Sequence, residues 1–286
     1  MRRIGLVLEY VGTGYQGFQV QAGDLRGGAA RAGRVVPTVR TVQGAVEGAI
    51  LQITGAGRTD AGVHALGQVA NFVTGSRIPG DRFAPALNTA LPRDVRVLRS
   101  FEAPEGFNAR YDAIAKVYRY VVVPRHAAAE TEPGPGPGPG SAILLGRALL
   151  VQRPLYVQAM SEAARCLVGQ HDFSAFASTG SSAKTSVRTI RRLEVQAARL
   201  GFLGLSAVTV EIEADGFLYK MVRTIVGALL EVGAGRADAG LAERLLASRD
   251  RSKGPATAPP DGLYLVRVIY PEPAASLISG SAELRC

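Results

Sequence analysis

A carboxylate and a guanidinium two positions apart, inside a run too rich in glycine to be helical, are the residues of this chain best placed to do chemistry. The run is Gly57-Arg58-Thr59-Asp60-Ala61-Gly62-Val63-His64-Ala65. Its glycines permit backbone angles that other residues resist, so such a turn aims the Asp60 side chain at a ligand at low steric cost. An aspartate presented in this way can be a nucleophile. Arg58 supplies a planar, permanently charged group that holds a carboxylate ionised or grips a phosphate. Taken alone, the run also fits an Asx turn with a surface ion pair. Its companions elsewhere in the chain decide between the two.

Three further constellations stand out. Phe107-Asn108-Ala109-Arg110-Tyr111 is followed by Lys116-Val117-Tyr118-Arg119-Tyr120, where strand geometry places Lys116, Tyr118 and Tyr120 on one face and Arg119 on the other. A tyrosine ring there suits stacking on a base withdrawn from its helix, or equally the packing of a sheet. In Ala214 to Gly227 and just beyond it, the residues Phe217, Met221, Ile225 and Leu229 recur at helical spacing as a core stripe. Arg223 interrupts that apolar helix, so it either finds an acid from another segment, such as Asp60, or lies on the solvated face. Finally, Gly12-Thr13-Gly14-Tyr15-Gln16-Gly17 matches G-x-G-x-x-G, but the continuation Phe18-Gln19-Val20-Gln21-Ala22-Gly23 lacks the helical period that a dinucleotide site requires. A flexible loop touching substrate or a partner chain accounts for it better than a nucleotide site.

The elements that must position these residues follow from periodicity. Strands are expected at Ile4 to Tyr10, Gln68 to Val73, Val95 to Phe101 and Lys116 to Val123. Short helices are expected at Thr41 to Gln52 and Arg82 to Ala90. After a Pro-Gly repeat within Glu130 to Gly140, which sustains neither helix nor paired strand, the pattern resumes. It gives a helix at Tyr156 to Val168, strands at Thr189 to Gln196 and Leu203 to Ile212, and a helix at Phe217 to Val232. A shorter helix at Leu241 to Ala247 and a strand at Leu263 to Tyr270 complete it. The fold class expected is α+β, with two similar lobes of mixed or antiparallel sheet, helices on one face, and a ligand cleft between them. The boundaries are an N-terminal lobe at 1–125 carrying Asp60, a Pro/Gly-rich linker or insert at 126–154, a C-terminal lobe at 155–275, and a tail at 276–286.

Composition narrows the partners. The 286 residues include 33 Lys and Arg against 24 Asp and Glu, a formal charge of +9. That surplus points first to RNA or DNA and second to an anionic membrane surface. Cys166 and Cys286 offer no metal spacing and His64, His126 and His171 are scattered, which argues against a His-rich zinc site. The start Met1-Arg2-Arg3 meets Glu9 after a short apolar stretch and has no signal-peptide pattern, so a reduced cytoplasm is the expected compartment, with no membrane association.

Taken together, these segments resemble the tRNA pseudouridine synthase A family. The resemblance runs through Glu9 to Gln21, Thr41-Val42-Gln43, and the highly specific loop Gly57 to Ala65. It continues through Phe107, Tyr118, Asp172-Phe173, Met221-Val222-Arg223 and Gly262-Leu263-Tyr264-Leu265, in family order. It implies isomerisation of uridine to pseudouridine at positions 38, 39 and 40 of the tRNA anticodon stem-loop, without metal or organic cofactor, by a homodimer. It further implies Asp60 as nucleophile, Tyr118 stacked on the target base, Arg58 filling the space of the flipped uridine, and Arg223 paired with Asp60. Arg77, Arg110 and the Gly169 to Phe173 loop, with His171 and Asp172, would touch tRNA, Leu263 or Leu265 would line the base pocket, and Phe107 would belong to the substrate-binding set. This chain departs from the family in having Phe18 for the usual Trp and little room before Gly55 for a strand leading into the active loop. A non-catalytic tRNA-binding relative of the same fold is the alternative.

Overall fold

Ile4, Leu6, Leu8 and Tyr10 alternate along the chain and are all buried, so they make the core side of the first strand, β1 (Arg2–Tyr10). In chain order there follow β2 (Ala30–Arg31), β3 (Arg34–Val35), α1 (Val42–Glu47), β4 (Thr54–Gly55), β5 (His64–Thr74), α2 (Phe83–Asn88), β6 (Val95–Glu102) and β7 (Ala115–Pro124). Then come β8 (Leu149–Val151), α3 (Val157–Ala164), β9 (Gly169–Asp172), β10 (Val187–Leu200), β11 (Leu205–Ala214), α4 (Met221–Gly233), α5 (Leu241–Ser248), β12 (Leu263–Ile269) and α6 (Ala274–Ser279). This computed structural model describes residues 1–20, 30–31, 34–35, 39–50, 52–124, 142–180, 183–201 and 204–279. The Pro-Gly repeat, His126 and Cys286 lie outside the described residues. The architecture is α+β, in two units: Met1–Ile114 with Leu265–Cys286, and Ala115–Tyr264. The strand at 115–124 therefore groups with the second unit, and most of β12 with the first.

In the first unit the strand order is β6-β1-β5-β12. β1 runs antiparallel to both neighbours, from Arg2 opposite Thr74 to Tyr10 opposite Ala65 on one side and from Ile4 opposite Glu102 to Tyr10 opposite Val95 on the other. The short approach to Gly55 still forms a strand: β4 pairs Thr54 with Asn71 and Gly55 with Ala70. α1 begins where the Thr41 side chain accepts from the Gly44 N–H at 3.1 Å, a standard N-cap. It ends five residues before the expected Gln52. Its last turn tightens, with Ala49 N–H bonding the Val46 carbonyl, and the Glu47 carboxylate turns back to accept from Ile53 N–H at 3.0 Å, leading the chain into β4.

The second unit holds the antiparallel order β7-β11-β10-β9, with β8 parallel to β7. Residues from 142 onward, expected to be linker, thus belong to this unit, where Leu144 and Ala148 pack with Val123, Leu205 and Ala207. α4 is buried on nearly every side. It starts at Met221 and not at Phe217, because Lys220 has φ +59, a left-handed angle that no helix continues through. Phe217 is consequently not part of the stripe, and Leu218 takes a buried position before the helix begins. Among the described residues no helix is long and apolar enough to cross a membrane.

Candidate active site

The Asp60 run is a turn hung on the edge of a core, and neighbouring backbone holds it almost residue by residue. Val63 N–H closes on the Asp60 carbonyl at 3.2 Å, with Gly62 at φ +78 in the position where such a turn requires a positive angle. Thr59 is buried, and its hydroxyl lies 2.9 Å from the hydroxyl of Tyr10 at the end of β1. Burial pushes the Tyr10 phenol upward, against the opposing hydrogen bonds from Thr59 and Gln68. Gln68, fully buried in β5, donates from Nε2 to the Gly57 carbonyl at 3.0 Å. His64 is also buried, and its Nδ1 accepts from Gly12 N–H at 3.1 Å, which leaves Nε2 as the protonated ring nitrogen. Asp60 itself is half-buried and Arg58 exposed, with the Arg58 Nε donating to the Gln19 side chain.

The G-x-G-x-x-G stretch supplies the other wall of this cradle. Gly12–Gly14 form a single 3-10 turn, and no helix follows among the described residues before α1, so the geometry of a dinucleotide site is missing. The stretch is stitched down, in place of the loose loop expected. Gly62 N–H bonds the Tyr15 carbonyl, Phe18 N–H bonds the Thr59 carbonyl at 3.1 Å, and the carbonyls of Gly17 and Phe18 accept from Val42 and Gln43 at the start of α1. Tyr15 donates to Asp94 at 2.7 Å beneath the Arg40 guanidinium, which donates to both oxygens of the same carboxylate. Two of the three glycines are there because backbone passes over them. A Cβ on Gly12 would stand 2.0 Å from the Val63 carbonyl oxygen, and one on Gly17, whose φ is +100, 2.6 Å from that of Thr59. Tyr10, Gln19, Thr59 and Gln68 carry this frame and were not singled out from sequence. A glutamine opening the largely apolar strand at 68–73 was the available signal.

In the second unit Tyr118 is nearly buried on β7, edge-on to the Phe217 ring at 5.1 Å and 85°. Arg223, in the first turn of α4, is half-buried. Its Nε donates to the Ala258 carbonyl at 2.7 Å while Ala258 N–H returns a bond to the Arg223 carbonyl at 3.1 Å. Arg119 faces away from Tyr118 and pairs with Glu211 at 2.8 Å. The remaining expected residues divide by burial. Phe107 is buried between the rings of Phe101 and Tyr270, and Leu263 and Leu265 are buried in β12, so all three are core side chains. Arg77 and Arg110 are exposed. His171 stacks edge-on to Phe173 and touches the Val168 carbonyl at 3.0 Å. Asp172 accepts from Ser174 N–H, and hydrogen bonding, first from Ser186, holds its carboxyl below the usual carboxylate range. Among the described residues no three His, Cys, Asp or Glu side chains gather as a metal-ligand group.

What the first unit presents is a carboxylate on a rigid mount with a guanidinium beside it in sequence, an arrangement suited to nucleophilic or electrostatic work on a bound ligand. Comparison with known proteins identifies the family. A family model described as tRNA pseudouridine synthase matches residues 7–112 and 163–271. The chain is 43% identical over 277 residues to a protein named tRNA pseudouridine synthase A from Acetivibrio thermocellus, covering 94% of this chain and the whole of that protein. It is 42% identical over 279 residues to a protein of the same name from Syntrophomonas wolfei, covering 95% and 99%. A third of that name, from Caldicellulosiruptor bescii, is 40% identical over 94% of this chain and all of its own length.

Proposed function

The chain belongs to the tRNA pseudouridine synthase family, and we propose that it isomerises uridine to pseudouridine in tRNA, at positions 38, 39 and 40 of the anticodon stem-loop. The reaction breaks the bond between N1 of uracil and C1′ of ribose and forms one between C5 and C1′. The hydrogen on C5 leaves to solvent and N1 acquires one, so atoms balance with no oxidant or reductant. Such chemistry needs a carboxylate, a wall that keeps the detached base in place, and exclusion of water. Asp60 is the carboxylate, acting on the sugar directly or through a glycal. Tyr118 is the stacking wall, Arg58 occupies the space of the extruded uridine, and Arg223 supplies the second guanidinium serving the reaction. Leu263, Leu265 and Phe107 hold the pocket from behind, and Arg77, Arg110, His171 and Asp172 serve the RNA. The enzyme works as a homodimer in the cytoplasm.

The observation that supports this reading best is the mounting of Asp60. A half-buried aspartate on a turn bonded through Thr59, Gly62 and Gly57 has the fixed mount that a reacting group needs. The test is tritium release from tRNA carrying 5-tritiated uridine, with the product mapped by mass spectrometry. Asp60→Asn is expected to abolish release while tRNA binding persists. Turnover by the purified variant would end the assignment. A wild-type protein that binds tRNA without forming product would instead establish the non-catalytic relative.

A further inference from the structure

The loop at 104–112 is fastened at several backbone groups and yet leaves two large side chains in solvent. Arg3 reaches the carbonyls of Gly106 and Phe107. Ala109 is fixed at both ends: its N–H donates to the buried Asn71 side chain at 2.8 Å, and its carbonyl accepts from the Tyr270 hydroxyl at 2.5 Å. Asp112 accepts from Asn108 N–H at 2.8 Å, and the Asn108 side chain in turn accepts from the N–H groups of Arg110 and Tyr111. From this frame Tyr111 emerges 77% exposed, with the Arg110 guanidinium 5.6 Å from its ring. Among the described residues Arg110 makes no ion pair. The buried Phe107 and Ala109 anchor the loop to the core, whereas Tyr111, left so exposed, contributes little to that core. Fastening lowers the entropic cost of binding something to the ring and the cation.

We propose that Arg110 and Tyr111 form a preorganised platform for one unpaired nucleotide of the RNA substrate, with the base stacked on the Tyr111 ring and its phosphate held by Arg110. The inference rests on the RNA reading above and adds Tyr111 to it. An aromatic face beside a guanidinium is the combination that binds single-stranded nucleotides, because every base has a π-face and every linkage an anion.

The chain contains no tryptophan, so Tyr111→Trp installs a single indole, excited selectively over the tyrosines, at the site. Its emission is expected to be quenched saturably by tRNA, and by a single-stranded oligouridylate more strongly than by duplex RNA. Tyr111→Phe is expected to bind as the wild type does, and Tyr111→Ala to weaken tRNA binding about tenfold, the effect of losing one base stack, with kcat preserved. Unquenched Tyr111→Trp, or a Tyr111→Ala variant that binds normally, overturns the platform while leaving the isomerase reading intact. A Tyr111→Ala variant that changes the oligomeric state would assign the ring to a second copy of the chain and overturn it as well. The oligouridylate titration requires no turnover, so failure of the isomerase reading is seen separately, as a wild-type protein without product.

Discussion

Adding one methyl group to Gly12 is the sharpest test of how the reactive carboxylate is held. The Gly12 Cβ would stand 2.0 Å from the Val63 carbonyl oxygen, where ordinary contact begins near 3.4 Å, and the obstructing atom is backbone. The two segments must separate by more than 1 Å, which strains the Gly12 N–H bond to His64 and moves the turn that Val63 closes on Asp60. Displacements of this size in a reacting group cost roughly 100-fold in rate, equivalent to about 2.7 kcal/mol of barrier. Overpacking also lowers stability by about 1–3 kcal/mol. Gly14→Ala is the control within the same motif, since its Cβ meets only the end of the Arg40 side chain, at 3.2 Å. Single-turnover tritium release at saturating Gly12→Ala enzyme, alongside tRNA binding and thermal unfolding, should show slow chemistry, near-normal affinity and a modest loss of stability, with Gly14→Ala close to wild type. Full turnover by Gly12→Ala, or equal damage from both variants, would refute the reasoning that these glycines are spacers for the active turn.

Arg58→Ala should reduce turnover about tenfold on a paired target but far less on a tRNA whose target uridine is already unpaired, because the cost it raises is that of extrusion; equal losses on both substrates would remove Arg58 from that role. If phosphates dominate RNA binding, log affinity falls linearly with log salt, and a flat titration would contradict a basic RNA-binding surface on this +9 chain. Glu211 predicts a pH effect. Desolvation raises its carboxyl pKa, but hydrogen bonds and charge from Arg119 and Arg192 outweigh that and hold it below the usual value of 4.5. A folded-state pKa below the unfolded one means the stabilisation is complete above pH about 4.5 and fades as pH falls through the lower folded value. Glu211→Gln should therefore cost about 2 kcal/mol at pH 7 and narrow its gap to wild type in melting curves below pH 4; a pH-independent gap would show that the pair is not the cause.

The sequence by itself determined which side chains are available for chemistry and which elements carry them. The spacing of glycines around Asp60 required a turn, the apolar run from Ile4 to Tyr10 required a buried strand, and the apolar spacing after Thr41 required a short helix. These are local rules, acting over a few residues through sterics and hydrogen bonding, and a linear chain displays them. Element ends were less legible. α4 loses its expected first turn to a left-handed Lys220, a conformation that lysine's intrinsic preferences oppose and that the surrounding structure enforces. Tertiary structure alone decided what the glycines of G-x-G-x-x-G are for, since Val63 and Thr59, whose backbone crosses Gly12 and Gly17, lie more than forty residues away in the chain. It also decided that Phe107, Leu263 and Leu265 are core while Tyr111 is exposed. Burial depends on which distant residues close over a side chain, and no pattern of near neighbours records that.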